Sequence, residues 1–287
     1  MIYIHADDFG INQNQSRRIL ECSVMNGGAL NSVSVMPNSA HLIEAMPLLE
    51  DHMKKSIHIN LAEGACCCNP DQIPLLQRNG VFYRTFGSLF MAALWKPKKV
   101  EEQCYKEIYA QIQRVISYLG DDYKIRIDSH VHYHMIPAVF RGLCRALSSC
   151  NCEIEYIRVP DERLSIYLTA PGVWKYIRPV NFAKMVLVRF LSILNRKYLI
   201  QYGLDKKTGL FFGLSFTNEM VGAHVKTIYD KYAYYAKSTG KDLEVLFHPG
   251  AIYEGEEFLA GCKDAFKEVY QSKNRSKEAE MIKRRNE

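Results

Sequence analysis

Lys124-Ile125-Arg126-Ile127-Asp128-Ser129-His130-Val131-His132-Tyr133-His134 alternates polar with apolar up to Ile127, then sets a carboxylate and three imidazoles at every second position. Alternation is the strand period, in which successive side chains take opposite faces. The stretch predicts a strand that ends in chemistry, with Asp128, His130, His132 and His134 on one face and Ser129, Val131 and Tyr133 on the other. Neutral imidazoles beside a carboxylate are donors for a borderline divalent metal. A histidine-rich surface loop has the same composition, so partners elsewhere must decide.

On the N-terminal side, residues 1–5 are β-rich and deliver Ala6-Asp7-Asp8-Phe9-Gly10, two carboxylates at a strand end. A helix over about 14–25 stops at Asn26-Gly27-Gly28, residues 31–36 alternate, and a helix after Pro37 runs to about 49 before a strand at 56–61 that contains His58. Residues 63–84 read as a long loop over the same sheet end. Val100, Cys104, Ile108, Ile112, Ile116 and Leu119 define a helix over 98–119, stopped by Gly120-Asp121-Asp122. On the C-terminal side a helix runs from Pro137 to about 148, and a strand over 152–158 ends in Arg158-Val159-Pro160. Residues 164–200 are apolar and basic and read as two helices divided at Pro179. A strand over 210–216, a helix over 218–238 and a strand over 243–247 lead to His248-Pro249-Gly250, and a last helix covers about 256–270. Strands alternating with helices imply a parallel α/β sheet, closed or partly closed into a barrel. In such sheets the C-terminal strand ends carry the chemistry.

The chain of 287 residues reads as one domain over 1–270 followed by a charged tail over 271–287. With 48% hydrophobic and 24% charged residues a sizeable core is expected and global disorder is excluded. The net charge of +6 is modest and gathers after Lys273 in a run without aromatics, which reads as a solvated helix end or frayed tail and not as a nucleic-acid site. The nine cysteines include Cys66-Cys67-Cys68 and Cys150/Cys152, in no zinc-ribbon spacing. Free thiols and the absence of a signal-like start point to the cytoplasm. The window 186–194 is interrupted by Arg189 and flanked by Lys184 and Arg196-Lys197, so it reads as a buried or partner-facing helix, not a membrane span. A membrane-surface helix is the second reading.

Asp7 and Asp8, His58, Asp128 with His130, His132 and His134, and His248 all follow or end strands, and a parallel sheet gathers them on one edge. Singly, each has a plainer explanation: Asp-Asp caps turns, a histidine in an apolar strand is a satisfied core residue, and His-Pro-Gly punctuates a turn. Together they supply one carboxylate and two imidazoles for a catalytic metal, with a second carboxylate left as a base. His132 and His134 keep a two-metal phosphoesterase or other amidohydrolase open as a rival, and a non-catalytic sugar binder is another. Aromatic residues between Phe82 and Trp95 could stack on a sugar ring, though most suit core packing.

Ala6-Asp7-Asp8-Phe9-Gly10, His58-x-Asn60-Leu61-x-Glu63-Gly64, Asp128-Ser129-His130-x-His132-x-His134, Ile157-Arg158-Val159-Pro160 and His248-Pro249-Gly250, in this order, resemble the YdjC-like carbohydrate deacetylase family, which includes chitooligosaccharide deacetylases. The resemblance spans Met1 to Gly250. It implies a distorted (β/α) barrel related to NodB-like polysaccharide deacetylases, a divalent metal, magnesium first and zinc second, an N-acetylated sugar substrate and a homodimer. It further implies Asp8, His58 and His130 as metal ligands, Asp7 as general base, His248 as general acid, and Arg158 and His132 as support or substrate contacts. His5 stands where the family usually has Asn, and Ala62 where Thr is common.

Overall fold

Ile2–Phe9 forms β1, an inner strand of the sheet. It is buried along almost its whole length, as a strand covered on both faces of a parallel sheet must be. The computed structural model describes residues 1–120 and 122–284. Asp121, in the stop of the helix over 98–119, and Arg285, Asn286 and Glu287, in the charged tail, lie outside the described residues.

After β1 come α1 (Gln13–Leu20), β2 (Ser32–Val35), α2 (Leu42–Ala45) and β3 (Lys54–Ile59). The loop over 63–84 carries a small hairpin, β4 (Gln77–Arg78) and β5 (Val81–Phe82). Asn79 and Gly80 turn it with φ of 52° and 79°, the left-handed pair that a two-residue hairpin requires. Next are α3 (Phe86–Trp95), α4 (Pro97–Leu119), β6 (Ile125–Ser129), α5 (Pro137–Ser149) and β7 (Ile154–Ile157). The chain continues through α6 (Leu164–Leu168), α7 (Pro179–Gln201), β8 (Leu210–Phe212), α8 (Ala223–Thr239) and β9 (Leu243–Phe247). It finishes with α9 (Asp264–Tyr270) and α10 (Lys273–Lys283). In α4 the apolar stripe of the sequence is buried from Val100 through Cys104, Ile108 and Ile112 to Ile116, Leu119 at its end is partly buried, and Val115 joins the buried face. Each such large side chain contributes about 1.5–3 kcal/mol by leaving water.

The seven long strands form one parallel sheet in the order β7-β6-β3-β2-β1-β9-β8. Among the described residues β7 and β8 do not pair, so the sheet curls into an open half-barrel and not a closed one. The reason lies between them: residues 158–209 are spent on α6 and α7, divided around Pro179 as read from sequence, and contribute no strand that could close the circle.

Two further expectations are corrected. The histidine stretch is not a strand beyond Ser129. Val131 and His132 take left-handed φ of 51° and 57°, and residues 130–135 wind as a tight 3₁₀ turn. The charged C-terminal segment is not a frayed tail through 284, because Arg275, Glu278 and Ile282 of α10 are buried. All nine cysteines are free. Among the described residues no helix is long and apolar enough to cross a membrane.

Candidate active site

Because the sheet is parallel, the ends of β7, β6, β3, β1 and β9 lie on one edge. They bring together Arg158, Asp128 with His130, His58, Asp7 with Asp8, and His248. Adjacent strand residues normally point to opposite faces. Asp8 escapes this with φ of 70°, and the β1–β2 register shifts between Ala6 and Phe9, so both carboxylates meet the same cavity. Asp7, Asp8, His130, His132 and His248 all line that cavity, which has a volume of about 390 Å³. The turn at 131–132 sorts the three imidazoles. His130 points inward, His132 lies half-buried on the cavity wall, and His134 turns away, bonded to Ser129 Oγ at 2.6 Å and to the Arg158 carbonyl at 2.9 Å. Burial pushes His134 down to about 4, which leaves it a neutral structural group.

Asp8, His58 and His130 place one donor atom each within 4.8 Å of one another. His58 turns Nε2 toward Asp8 Oδ1 at 3.5 Å and Asp7 Oδ2 at 3.8 Å, while Nδ1 meets Asp128 Oδ1 at 2.5 Å. His130 does the mirror of this, with Nδ1 3.0 Å from Asp8 Oδ1 and Nε2 3.3 Å from Glu63 Oε1. Each ring thus has one nitrogen held by an outer carboxylate and one aimed inward, the usual support for a metal-binding imidazole. The inward His58 Nε2 is fully buried and has no hydrogen-bond partner. Around these rings Asp7, Asp8, Asp128, Glu63 and Glu244 are buried against three buried arginines, Arg158, Arg275 and, beside Glu244, Arg126, an excess of negative charge that a cation would offset. His58 responds to it: burial lowers its pKa, but Asp7 and Asp128 overcome that and raise it to about 10. The donor set and the orphaned nitrogen therefore fit a divalent metal.

The second carboxylate is held differently. Arg158 grips Asp7 with both terminal nitrogens, at 2.9 and 2.8 Å, reaches Asp128 Oδ2 at 2.9 Å, and bonds Glu244 through Nε. Burial alone would raise the Asp7 pKa, but Arg158 and then His58 outweigh it and hold the carboxyl well below the usual range. A second acidic cluster, His5 with Asp7 and Asp128, is filled by this guanidinium. His5 belongs to the layer beneath the site, 2.7 Å from both Ser32 Oγ and Ser34 Oγ. His248 Nε2 stands 4.0 Å from Asp7 Oδ2, and its backbone N–H donates to Glu278 at 2.6 Å. Burial pushes His248 down to about 4 against the upward pull of Asp8 and Asp7, with Arg275 and His58 adding to the lowering.

Sequence reading missed Arg275. Its Nη2 bonds Asp8 Oδ2 at 2.6 Å, leaving Oδ1 to the imidazoles. Glu63 and Tyr270, 2.5 Å apart, complete the socket of His130. Glu63 had a signal in the motif that begins at His58, whereas Arg275 and Tyr270 had none. Of the candidate aromatic platform only Phe86 reaches the cavity, and Trp95 is 79% exposed.

Fold and site together define an open α/β half-barrel whose strand ends present a cluster of carboxylate and imidazole donors beside an arginine-held aspartate. The chain belongs to the YdjC-like protein family, whose model matches residues 1–285. It is 28% identical over 165 residues to a carbohydrate deacetylase of Mus musculus, covering 56% of this chain and 51% of that one. It is 29% identical over 146 residues to a chitooligosaccharide deacetylase of Proteus mirabilis, covering 49% and 52%. The chain thus spans about half the length of these curated relatives. A solved structure from Enterococcus faecalis V583, provisionally named for cellobiose-phosphate cleavage, superposes with a TM-score of 0.59 at 17% identity. That likeness covers 98% of this chain and 94% of the other and concerns the fold.

Proposed function

We propose that this chain is a metal-dependent deacetylase that hydrolyses the acetamide of N-acetylated sugars, of the chitooligosaccharide kind for which a relative is named. The observation that carries the reading is the convergence in one cavity of a three-donor cation site, an arginine-held carboxylate and a histidine beyond it. Asp8, His58 and His130 would hold the metal. A divalent ion there supplies an electrophile for the acetyl oxygen and lowers the pKa of a water. Asp7, between His58 and His248, takes the water proton, and Arg158 keeps it ionised until then. The departing amine leaves poorly unless protonated. His248 is neutral at rest, so it serves as acid only after receiving a proton, and Asp7 at 4.0 Å is the nearest source. Arg158, fully buried and bonded to three carboxylates, acts as support, whereas His132 on the cavity wall suits contact with substrate.

Two nitrogens and one oxygen favour zinc or a similar borderline ion over the magnesium that the resemblance implies. A kinship with NodB-like deacetylases fits this reading, as does a cytoplasmic setting for nine free thiols. The catalytic unit extends through α10, because Arg275 holds Asp8. Elemental analysis of the purified protein, followed by acetate release from N,N′-diacetylchitobiose and phosphate release from a generic ester, tests the proposal. Metal with acetate release supports it, and phosphate release without acetate overturns it.

A further inference from the structure

Helix α7 is apolar on both sides. Its inner stripe, Asn181, Met185, Val188, Leu191, Asn195 and Leu199, is buried, and Asn195 Nδ2 donates to the Met135 carbonyl at 2.8 Å. The outer side carries Phe182, Val186, Leu187, Phe190, Ile193 and Leu194, between 37% and 63% exposed. A helix with water on its outer side normally turns polar residues to it, and a contiguous apolar patch marks a contact surface.

Charge selects the occupant. Residues 163–204 contain seven Lys and Arg and no Asp or Glu. Arg178 and Arg189 pair with Glu219 and Asp161 from elsewhere in the chain. Lys175, Lys184, Arg196 and Lys197 are exposed and have no ion pair among the described residues. A homodimer built on this face would set one copy's free cations against the other copy's, with no acidic residue in 163–204 to meet them, because a twofold interface uses the same patch on both copies. An anionic bilayer offers the opposite charge, together with an apolar layer for the phenylalanine and leucine side chains.

We infer that the outer face of α7 docks on an anionic lipid surface, with the helix lying in the plane of the interface. The same helix walls the cavity of the site through Lys184, Leu187 and Val188, so docking brings the cavity mouth to the lipid. If the deacetylase reading holds, on which this step rests, an N-acetylated amino sugar borne on a lipid carrier fits the site: polar floor for the sugar, apolar wall of Phe86, Leu214, Phe266 and Val269 for the carrier.

Co-sedimentation of the full chain with phosphatidylcholine vesicles, with and without phosphatidylglycerol, tests the docking. Binding should be at least about tenfold tighter to the anionic vesicles and should weaken with salt. The double variant Phe190→Ser/Ile193→Ser should lose about tenfold or more of that affinity. Its circular dichroism, and its acetate release from soluble N,N′-diacetylchitobiose, should match those of the parent, since neither side chain touches the cavity. Arg196→Gln/Lys197→Gln should weaken binding to anionic vesicles only. No vesicle binding, or equal binding to both vesicle types, overturns the inference. So does a dimer in light scattering that Phe190→Ser/Ile193→Ser dissociates, because a second copy then covers the face. Absence of acetate release from the parent protein would sink the deacetylase reading and leave the vesicle result standing.

Discussion

Asp7 and Asp8 are neighbours in the chain and each is gripped by a buried arginine, yet the two grips are built from different parts of the molecule. Arg158 follows β7 directly, is bonded to Asp7, Asp128 and Glu244, and is fixed by the sheet itself. Arg275 comes from α10 near the end of the chain, bonds Asp8 as its one carboxylate and the Val269 carbonyl of α9, and lies 4.8 Å over the Tyr270 ring. In one case the framework that makes the strand end also positions the carboxylate. In the other, orientation of the proposed metal ligand depends on a helix that docks from outside the sheet. The same pairing of charges therefore holds the proposed base rigidly in the first case and, in the second, the proposed ligand through a helix that can loosen.

The largest effects should come from the carboxylates themselves. Asp7→Asn should keep bound metal and lose two to about four powers of ten in deacetylation rate, the usual range for a positioned base. Asp8→Asn should lose most of the metal, read by elemental analysis. If both variants lose the metal, the pair chelates together and the contrast between the two carboxylates disappears.

Next are the arginines. Arg158→Met leaves three buried carboxylates without their cation and should destabilise the fold by about 3–5 kcal/mol in urea unfolding. Arg275→Met frees one carboxylate beside the proposed cation site, so about 1–3 kcal/mol is expected, with a clear loss of metal affinity in titration. Equal destabilisation by both would show that α10 is as integral to the fold as β7.

These two arginines also mark how far the sequence can be read. Arg158 was visible because it ends an alternating run, and β9 and α4 were visible because period 2 and period 3.6 are local patterns. Arg275 sits in Lys273-Asn274-Arg275-Ser276-Lys277, which has the composition of a solvated charge run; what buries it is a surface assembled from β1 and α9. The left-handed turn at Val131 and His132 was equally hidden, since β-branched residues seldom take positive φ and tertiary contacts must impose it. That turn is why three alternating imidazoles became one inward group, one wall residue and one structural group. The sequence left closed and partly closed barrels both open, because closure depends on whether 158–209 contributes a strand, and an apolar basic segment there suits either outcome.

His248 tests the proton path from the Asp7 side. Because it is neutral at rest, its loss should hurt in proportion to how poor the leaving group is. His248→Ala should cut deacetylation of an N-acetyl sugar by about a hundredfold with metal retained, and should leave an aryl acetate, whose phenolate departs without a proton, nearly untouched. Equal losses on both substrates would assign His248 to orientation of the substrate.

The smallest expected effect sharpens the contrast from the α10 side. Glu278 accepts the backbone N–H groups of His248 and Met220, and burial, only partly offset by those bonds and by Arg275, raises its pKa from 4.5 to about 7. A folded-state pKa above the unfolded one means that the native protein binds more protons between the two values. Stability from this group is then full below about pH 4.5 and is lost as pH rises through about 7. The difference of about 2.5 in pKa sets a ceiling near 3 kcal/mol. Local loosening of a terminal helix that hydrates the charge brings the expected loss to about 1–2 kcal/mol. Urea unfolding at pH 5 and pH 8 should show that decline in the parent and a flatter profile in Glu278→Gln, which keeps one acceptor and cannot ionise. An unchanged pH profile in Glu278→Gln would mean that the carboxyl is already hydrated in the native state, and that α10 is even more loosely docked than its contrast with β7 suggests.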